Sequence, residues 1–318
     1  MTPISPPSAP PAAAEDELSP TLASKKVVPL RHPWRWVAGA VALVVLAQAA
    51  HALVTNPAFQ WDAFGYWFFR PVVLEGLVLT LELTGLAAVF GLLGGIVLAL
   101  MRLSRNPVLR AVSWGYVWIF RSIPLIVLLL FLANVTALYS TLSLGIPFGP
   151  SFVEFSANDL LSFFVVAVLG LSLNEAAYAA EIVRSGIISV DQGQLEAASA
   201  LGLPKWRQYR RIILPQATRA IIPSYANQLI GLLKGTSVVY ITSLLELFGV
   251  VQTQASTNSG QIIPLLMVGT VWYVILTSLL SVVQYYVERH FSRGALRTVP
   301  PTPFQRFRAR LRAVGVAR

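Results

Sequence analysis

Six charged side chains stand inside otherwise apolar stretches of this 318-residue chain: Glu82, Arg121, Glu175, Glu181, Lys234 and Glu246. A charge in hydrocarbon is costly, so such residues pair with one another or line an aqueous path. The constellations of catalysis are missing beside them. The three histidines, His32, His51 and His290, are too scattered for a metal motif, and the absence of cysteine removes disulfides, iron–sulfur clusters and thiolate zinc. No Gly-x-Ser-x-Gly and no His-Glu-x-x-His occurs. The stretch "GLLKGTS" (Gly231–Ser237) looks superficially like a phosphate-binding loop, but that loop needs Gly-Lys-Ser/Thr after four spacers, and Gly-Lys is found nowhere. The chain therefore reads as a non-enzyme that hydrolyses no ATP and binds no metal or cofactor itself.

Each intramembrane charge has two readings. Glu75 and Glu82 are seven apart and share one helix face. Glu82 lies eight residues into its apolar segment, about 12 Å at helical rise, a depth that suits a cavity in the bundle interior. Arg121, beside Ser122-Ile123-Pro124, is a substrate contact, an interfacial anchor or half of a structural pair. Glu181 and Arg184 have helix-neighbour spacing, and Glu175 is placed to join them. Lys234 and Glu246 either line a pore or form an internal ion pair.

The elements that hold these charges are membrane spans. The chain is 55% hydrophobic and only 12% charged, with a mean hydropathy of +0.66, whereas a soluble domain carries about a quarter charged residues. Six apolar segments reach the ~20 residues that a span requires, at 36–54, 74–101, 111–133, 159–183, 221–248 and 263–287. With both termini inside, the cytoplasmic pieces hold 21 of the 24 Lys and Arg, as the positive-inside rule demands. The net charge of +10 is thus topology rather than a nucleic-acid footprint. Ala47-Gln48-Ala49 has the form of a signal-peptidase site, but some 35 residues precede the apolar run, longer than a usual leader n-region, so it reads as a first helix.

The expected organisation is a disordered cytoplasmic tail over 1–35, rich in Pro, Ala and Ser. A first transmembrane helix and external loop follow over 36–73, then a transmembrane domain over 74–288 and a basic cytoplasmic tail over 289–318. "WDAFGYWFFRP" reads as an external aromatic belt, and "LGIPFGPSFVEFSAND" as an external loop. Gly85, Gly91, Gly94 and Gly95 read as helix-packing positions.

Between the fourth and fifth segments lies a polar insert. Asp191 can cap a helix, with Gln194 in the capping-box position. Leu195, Ala198 and Leu201 recur on one face. Gly202 suits the left-handed residue after a helix end, with Pro204 to stop it. A second, basic amphipathic helix is expected from Pro204 to Pro215. The small residues Ala197, Ala198, Ser199 and Ala200, with the acid Glu196, make a narrow projection that fits a partner's groove; an amphipathic element lying on lipid is the other reading.

"EAASALG", nine residues, then "IILP" matches the EAA signature of bacterial ABC import permeases at Glu196, Ala197, Ala198, Gly202, Ile212, Leu214 and Pro215. "AYAAEIVRSGIISVDQGQLEAASALG", "VWIFRSIPLIV", "LTLELTGLAAVFGLLGGIVLALMRLSRNPVLR" and "LLKGTSVVYITSLLEL" resemble, over about 74–288, the permeases for polar amino acids (histidine, glutamate, glutamine, arginine, opines). One departure is visible: Lys234-Gly235-Thr236-Ser237 stands where that family often has Lys-Asp-Thr-Ser.

The resemblance implies an all-α, type I importer permease fold of about six spans in the bacterial cytoplasmic membrane. Its insert would be a coupling helix that docks on separate ABC ATPase subunits, which carry ATP and Mg. The implied partners are a second permease, identical or homologous, an extracytoplasmic amino-acid-binding protein and membrane lipid. The substrate path would draw on Glu82, Arg121, Lys234 and Glu246. The rival reading is an autonomous secondary transporter or channel, which would commonly show paired broken helices in internal repeats; none is evident.

Overall fold

The structure is a computed structural model that describes residues 33–146 and 149–291; most of both expected tails lies outside the described residues. Two units are distinguished, residues 1–57 and 58–318. In the first, helix α1 (Pro33–Thr55) is apolar around its whole circumference, as a helix surrounded by lipid must be. Four helices are long and apolar enough to span, and six spans result if each of two bent pairs counts as one.

The second unit begins with the aromatic helix α2 (Trp61–Phe68) and the long α3 (Pro71–Leu103). The expected third span is not one helix. Helix α4 (Pro107–Ser122) and α5 (Leu125–Ala133) meet at 100°. The break falls at Ile123, held extended at φ −81°, ψ 125°, because the ring of Pro124 bars the α conformation from the residue before it. The loop expected outside is not wholly irregular: β1 (Thr141–Gly145) and β2 (Ser151–Ser156) pair antiparallel.

Helix α6 (Phe163–Ile188), α7 (Gln192–Ala200) and α8 (Lys205–Gln208) follow. A π-helical turn over Tyr209–Ile213 leads into α9 (Leu214–Gly235). Pro215 therefore does not end the second insert helix as expected. It sits in the first turn of α9, where a missing N–H is tolerated, and the irregularity is taken up as the widened turn just before it. The expected fifth span ends earlier as an α-helix: a 3-10 segment Thr236–Thr242 precedes α10 (Leu247–Thr257) and α11 (Ile262–Phe291).

Lipid is as apolar as leucine, so these helices associate through close packing rather than through water exclusion. The most extensive helix pair is α3 with α6, and its seam is glycine. A Cβ on Gly91 would lie 2.6 Å from Glu175 Cγ, one on Gly94 3.1 Å from Ala176 Cβ, and one on Gly95 2.9 Å from the Ala179 carbonyl carbon. Position 91 faces 175 and 95 faces 179, so the two helices run parallel, as the second and fourth of alternating spans must. Gly85 lies off this seam with nothing within 4 Å. Helix α9 runs antiparallel to α6, with Ile221 and Ala217 under Gly186 and Gln228 against Glu175. The central core of Leu83, Ala87, Leu129, Leu171, Leu232 and Val239 joins α3, α5, α6, α9 and the 3-10 segment.

Gly95→Val is expected to cost about 1–3 kcal/mol by overpacking against the α6 backbone. Thermal unfolding of the detergent-solubilised chain measures this. Gly115→Ala, where nothing lies within 4 Å, should leave the midpoint unchanged or raise it.

Candidate functional site

The insert folds as a preformed helix–turn–helix. Asp191 Oδ1 accepts from the Gln194 N–H at 3.2 Å and caps α7. At the other end, Gly202 holds φ +68°, its N–H donates to Ser199 O, and the Leu203 N–H donates to Ala198 O, each at 3.0 Å. These two bonds with a left-handed residue complete a Schellman ending. Gln208 locks the turn from behind, its Nε2 donating to Leu203 O at 2.8 Å. Val190, Ile213 and Ala217, packed with Ile187, Leu195 and Ile221, fasten the insert to the ends of α6 and α9.

One expectation for this face changes. Ala198 is buried at 3% exposure, so it is not part of the outward surface. Leu201, expected on the same inner face, is 79% exposed although its N–H still donates to Ala197 O, because it stands at the helix end just before the reversal at Gly202. The exposed residues of α7 are Gln192, Gly193 and Gln194 in its first turn and Glu196, Ala197, Ser199 and Ala200 beyond. Ile212 is half-buried, whereas Leu214 and Pro215 are exposed.

The four charges expected on the path are not brought together. Glu82 lies on the exposed stripe of α3, eleven residues in from Pro71, about 16 Å at helical rise. Around it the stripe runs through Val78, Leu86, Val89, Phe90, Leu93 and Val97. No described residue offers Glu82 a hydrogen bond or ion pair. Lys234 is exposed at the end of α9 and lines a cavity of about 360 Å³ with Ser237, Thr270, Tyr273 and Thr277. It makes no ion pair with Glu246.

Glu246 is fully buried and occupied. Its carboxylate caps α10, accepting from the Gly249 N–H at 2.8 Å and the Phe248 N–H at 3.0 Å. Tyr273 OH donates to it from α11 at 3.0 Å, and the Thr80 hydroxyl on α3 lies 3.2 Å away. Thr80 Oγ1 in turn accepts from the Leu247 N–H at 3.1 Å. Burial of a carboxylate is tolerable only with such a set of donors, so Glu246 ties three elements together rather than facing a path. The sequence signal for this was a carboxylate immediately before an apolar helical run.

Arg121 is exposed, with its guanidinium 5.2 Å from the Tyr178 ring centre. Glu181 pairs with Arg184 at 2.7 Å as the spacing suggested. Glu175 does not join them. It is buried between α3 and α9, with Oε2 accepting from Gln228 Nε2 at 3.1 Å. Among the described residues no group of His, Asp and Glu could hold a metal ion.

A bundle of bent and straight spans around a glycine seam, with a rigid polar helix–turn–helix between the fourth and fifth, defines a transport permease subunit. Residues 91–295 match the family model described as binding-protein-dependent transport system inner membrane component, and the chain belongs to that family. It is 44% identical to the arginine transport system permease protein ArgU of Corynebacterium glutamicum, over 85% of this chain and 84% of that one. It is 38% identical to the glutamate/aspartate import permease protein GltK of Escherichia coli O157:H7, over 69% and 93%. A solved amino acid ABC transporter superposes with a TM-score of 0.59 at 31% identity, over 69% of this chain and 94% of that one. The inward-facing MetNI methionine transporter, at 22% identity and a TM-score of 0.55, shares the fold. The chain is thus the permease subunit of an amino-acid ABC transporter, with the ATPase a separate subunit in this family.

Glu246→Ala is expected to strand two helix-terminal N–H groups and the Tyr273 hydroxyl, at about 2–4 kcal/mol, while Tyr273→Phe costs about 1 kcal/mol. Thermal unfolding of the solubilised chain checks both. Equal midpoints for Glu246→Ala and the parent chain would mean that the cap does not hold α10 in place.

Proposed function

We propose that this chain forms, with a second permease identical or homologous to it, the translocation path for a polar amino acid across the bacterial cytoplasmic membrane. A binding protein outside delivers the substrate. Residues 192–215 inside dock on an ATPase subunit that carries ATP and Mg. The relatives named for arginine and for glutamate/aspartate support the substrate class. Both termini lie in the cytoplasm on this reading, and the tails over 1–35 and 289–318 flank the transmembrane domain 74–288.

The observation that carries the coupling role is the fixed shape of the insert. Its cap, its Schellman turn and its apolar fastening to α6 and α9 hold Glu196, Ala197, Ser199 and Ala200 in a fixed exposed patch. A narrow, rigid projection loses little conformational entropy on entering a groove. The four path residues then divide. Glu82 and Lys234, exposed and without an ion-pair partner among the described residues, are the groups for substrate or its water. An exposed carboxylate midway along an apolar stripe cannot rest against lipid, and an amino acid's ammonium group suits it. Arg121 and Glu246 serve structure or the interface.

Ala197→Trp and Ala200→Trp are expected to abolish substrate-stimulated ATP hydrolysis in reconstituted vesicles and to lose the ATPase on pull-down. Gly202→Val should do the same by straining a positive φ. Glu196→Ala should be milder, since a rim ion pair contributes about 0–1 kcal/mol. Full stimulation in the Ala197→Trp, Ala200→Trp double variant would overturn the coupling role.

Glu82→Gln should lower transport while ATPase binding and membrane accumulation stay normal. Unchanged uptake would remove Glu82 from the path.

A further inference from the structure

A second polar site lies apart from both the insert and Glu82. Where the C-terminal end of α3, the second half of α4 and the last turns of α6 meet, a cavity of about 270 Å³ is lined by Arg102, Arg121, Ser122, Glu181, Trp114 and Trp118. That is about nine water molecules' worth of liquid, more than a bridging water requires and enough for a small headgroup.

Its charge does not balance. Glu181 is already taken by Arg184, which donates to it through Nε at 3.1 Å and Nη2 at 2.7 Å. Arg102 and Arg121 are left with no ion pair among the described residues. Arg102 Nη1 is buried without any hydrogen-bond partner, an arrangement that costs free energy unless an acceptor occupies the cavity. Arg121 reaches toward the same space from α4, its head packed only over Tyr178. The cavity thus presents two unneutralised guanidinium groups and a hydroxyl, the donor set that phosphate oxygens match.

The rim identifies where the phosphate comes from. Trp114 and Trp118 stack parallel with ring centres 6.0 Å apart and are 54% and 61% exposed. Paired indoles beside arginines at the end of a span mark the headgroup level of a bilayer. On the topology set out above, this end of α3 is cytoplasmic, the leaflet that carries anionic lipid.

We propose that this cavity is a binding site for the phosphate headgroup of an anionic phospholipid. Its phosphate sits between Arg102 and Arg121, and its glycerol and upper chains lie along Trp114 and Trp118. A zwitterionic lipid brings the same phosphate with its own cation, which the two arginines repel, so the site selects net negative headgroups.

The test uses the full-length chain purified with its co-purifying subunits in detergent. Thermal unfolding is followed while phosphatidylglycerol, phosphatidylcholine with the same acyl chains, or inorganic phosphate is added. Phosphatidylglycerol is expected to raise the midpoint well beyond phosphatidylcholine, and inorganic phosphate at equal concentration to leave it unmoved. Arg102→Gln and Arg121→Gln should each raise the half-maximal lipid concentration about tenfold or more, the loss of a charge-assisted hydrogen bond. Should Arg102→Gln fail to accumulate, Arg121→Gln, whose head is exposed, carries the comparison. Equal responses to the two lipids, stabilisation by inorganic phosphate, or no lipid response in the parent complex (as when a second chain covers the cavity) would each overturn the proposal. So would an unchanged response in Arg121→Gln.

Discussion

The absence of side chains at Gly91, Gly94 and Gly95 is the constraint on which the rest of this molecule depends. In a lipid environment no water-driven force holds α3 to α6, so their contact must come from backbones brought close enough for many weak attractions to add. A methyl group at Gly95 would meet the backbone of Ala179. The seam sets the two spans parallel and in register. With that pair in place, α9 can lie antiparallel under Gly186 and bring Tyr225 within 2.6 Å of Ala88 O. The same pair frames the core into which α5 folds after the bend at Ile123–Pro124.

Polar groups then do two different jobs. Inside the bundle they are spent on one another: Thr80, Glu246 and Tyr273 close a network over the start of α10, Asn174 Nδ2 donates to Phe120 O, and Tyr116 OH donates to Leu173 O. Each of these bonds spans two helices and fixes a rotation that apolar packing alone leaves loose. The exposed Glu82, Lys234 and Arg121 keep binding capacity unspent, as do the buried atoms Arg102 Nη1, Ser172 Oγ and Glu175 Oε1.

Much of the architecture was legible because it rests on local rules. Asp191 three residues before Gln194, and Gly202 before Pro204, encode the start and stop of α7 in backbone terms that no neighbour alters. The seam glycines were legible as packing positions for the same reason. What escaped depends on neighbours. Ala198 and Leu201 share a helical periodicity, yet one is buried and the other exposed, because Leu201 stands at the helix end just before the chain reverses at Gly202. Pro215 looked like a terminator, but a widened turn absorbs it. Glu246 looked like a pore-lining group or half of an ion pair, but its partners are backbone amides and hydroxyls from α3 and α11. The bend at Ile123 carried a readable signal in Pro124, which an apolar run long enough to span had masked.

Helical backbone runs with little interruption from Lys205 through the π turn to Gly235, and it crosses α6 where Ala217 and Ile221 lie under Gly186. The crossing falls near the middle of this rod, with about 21 Å of helix on the insert side and about 24 Å on the other. Pro223, one turn beyond, removes a backbone bond, and the Tyr225–Ala88 bond splints the rod just past it. Gln228 meets Glu175 further along the same rod, so it lies along α6 at two places, and the insert and the Lys234 cavity stand at the two ends of one helical run.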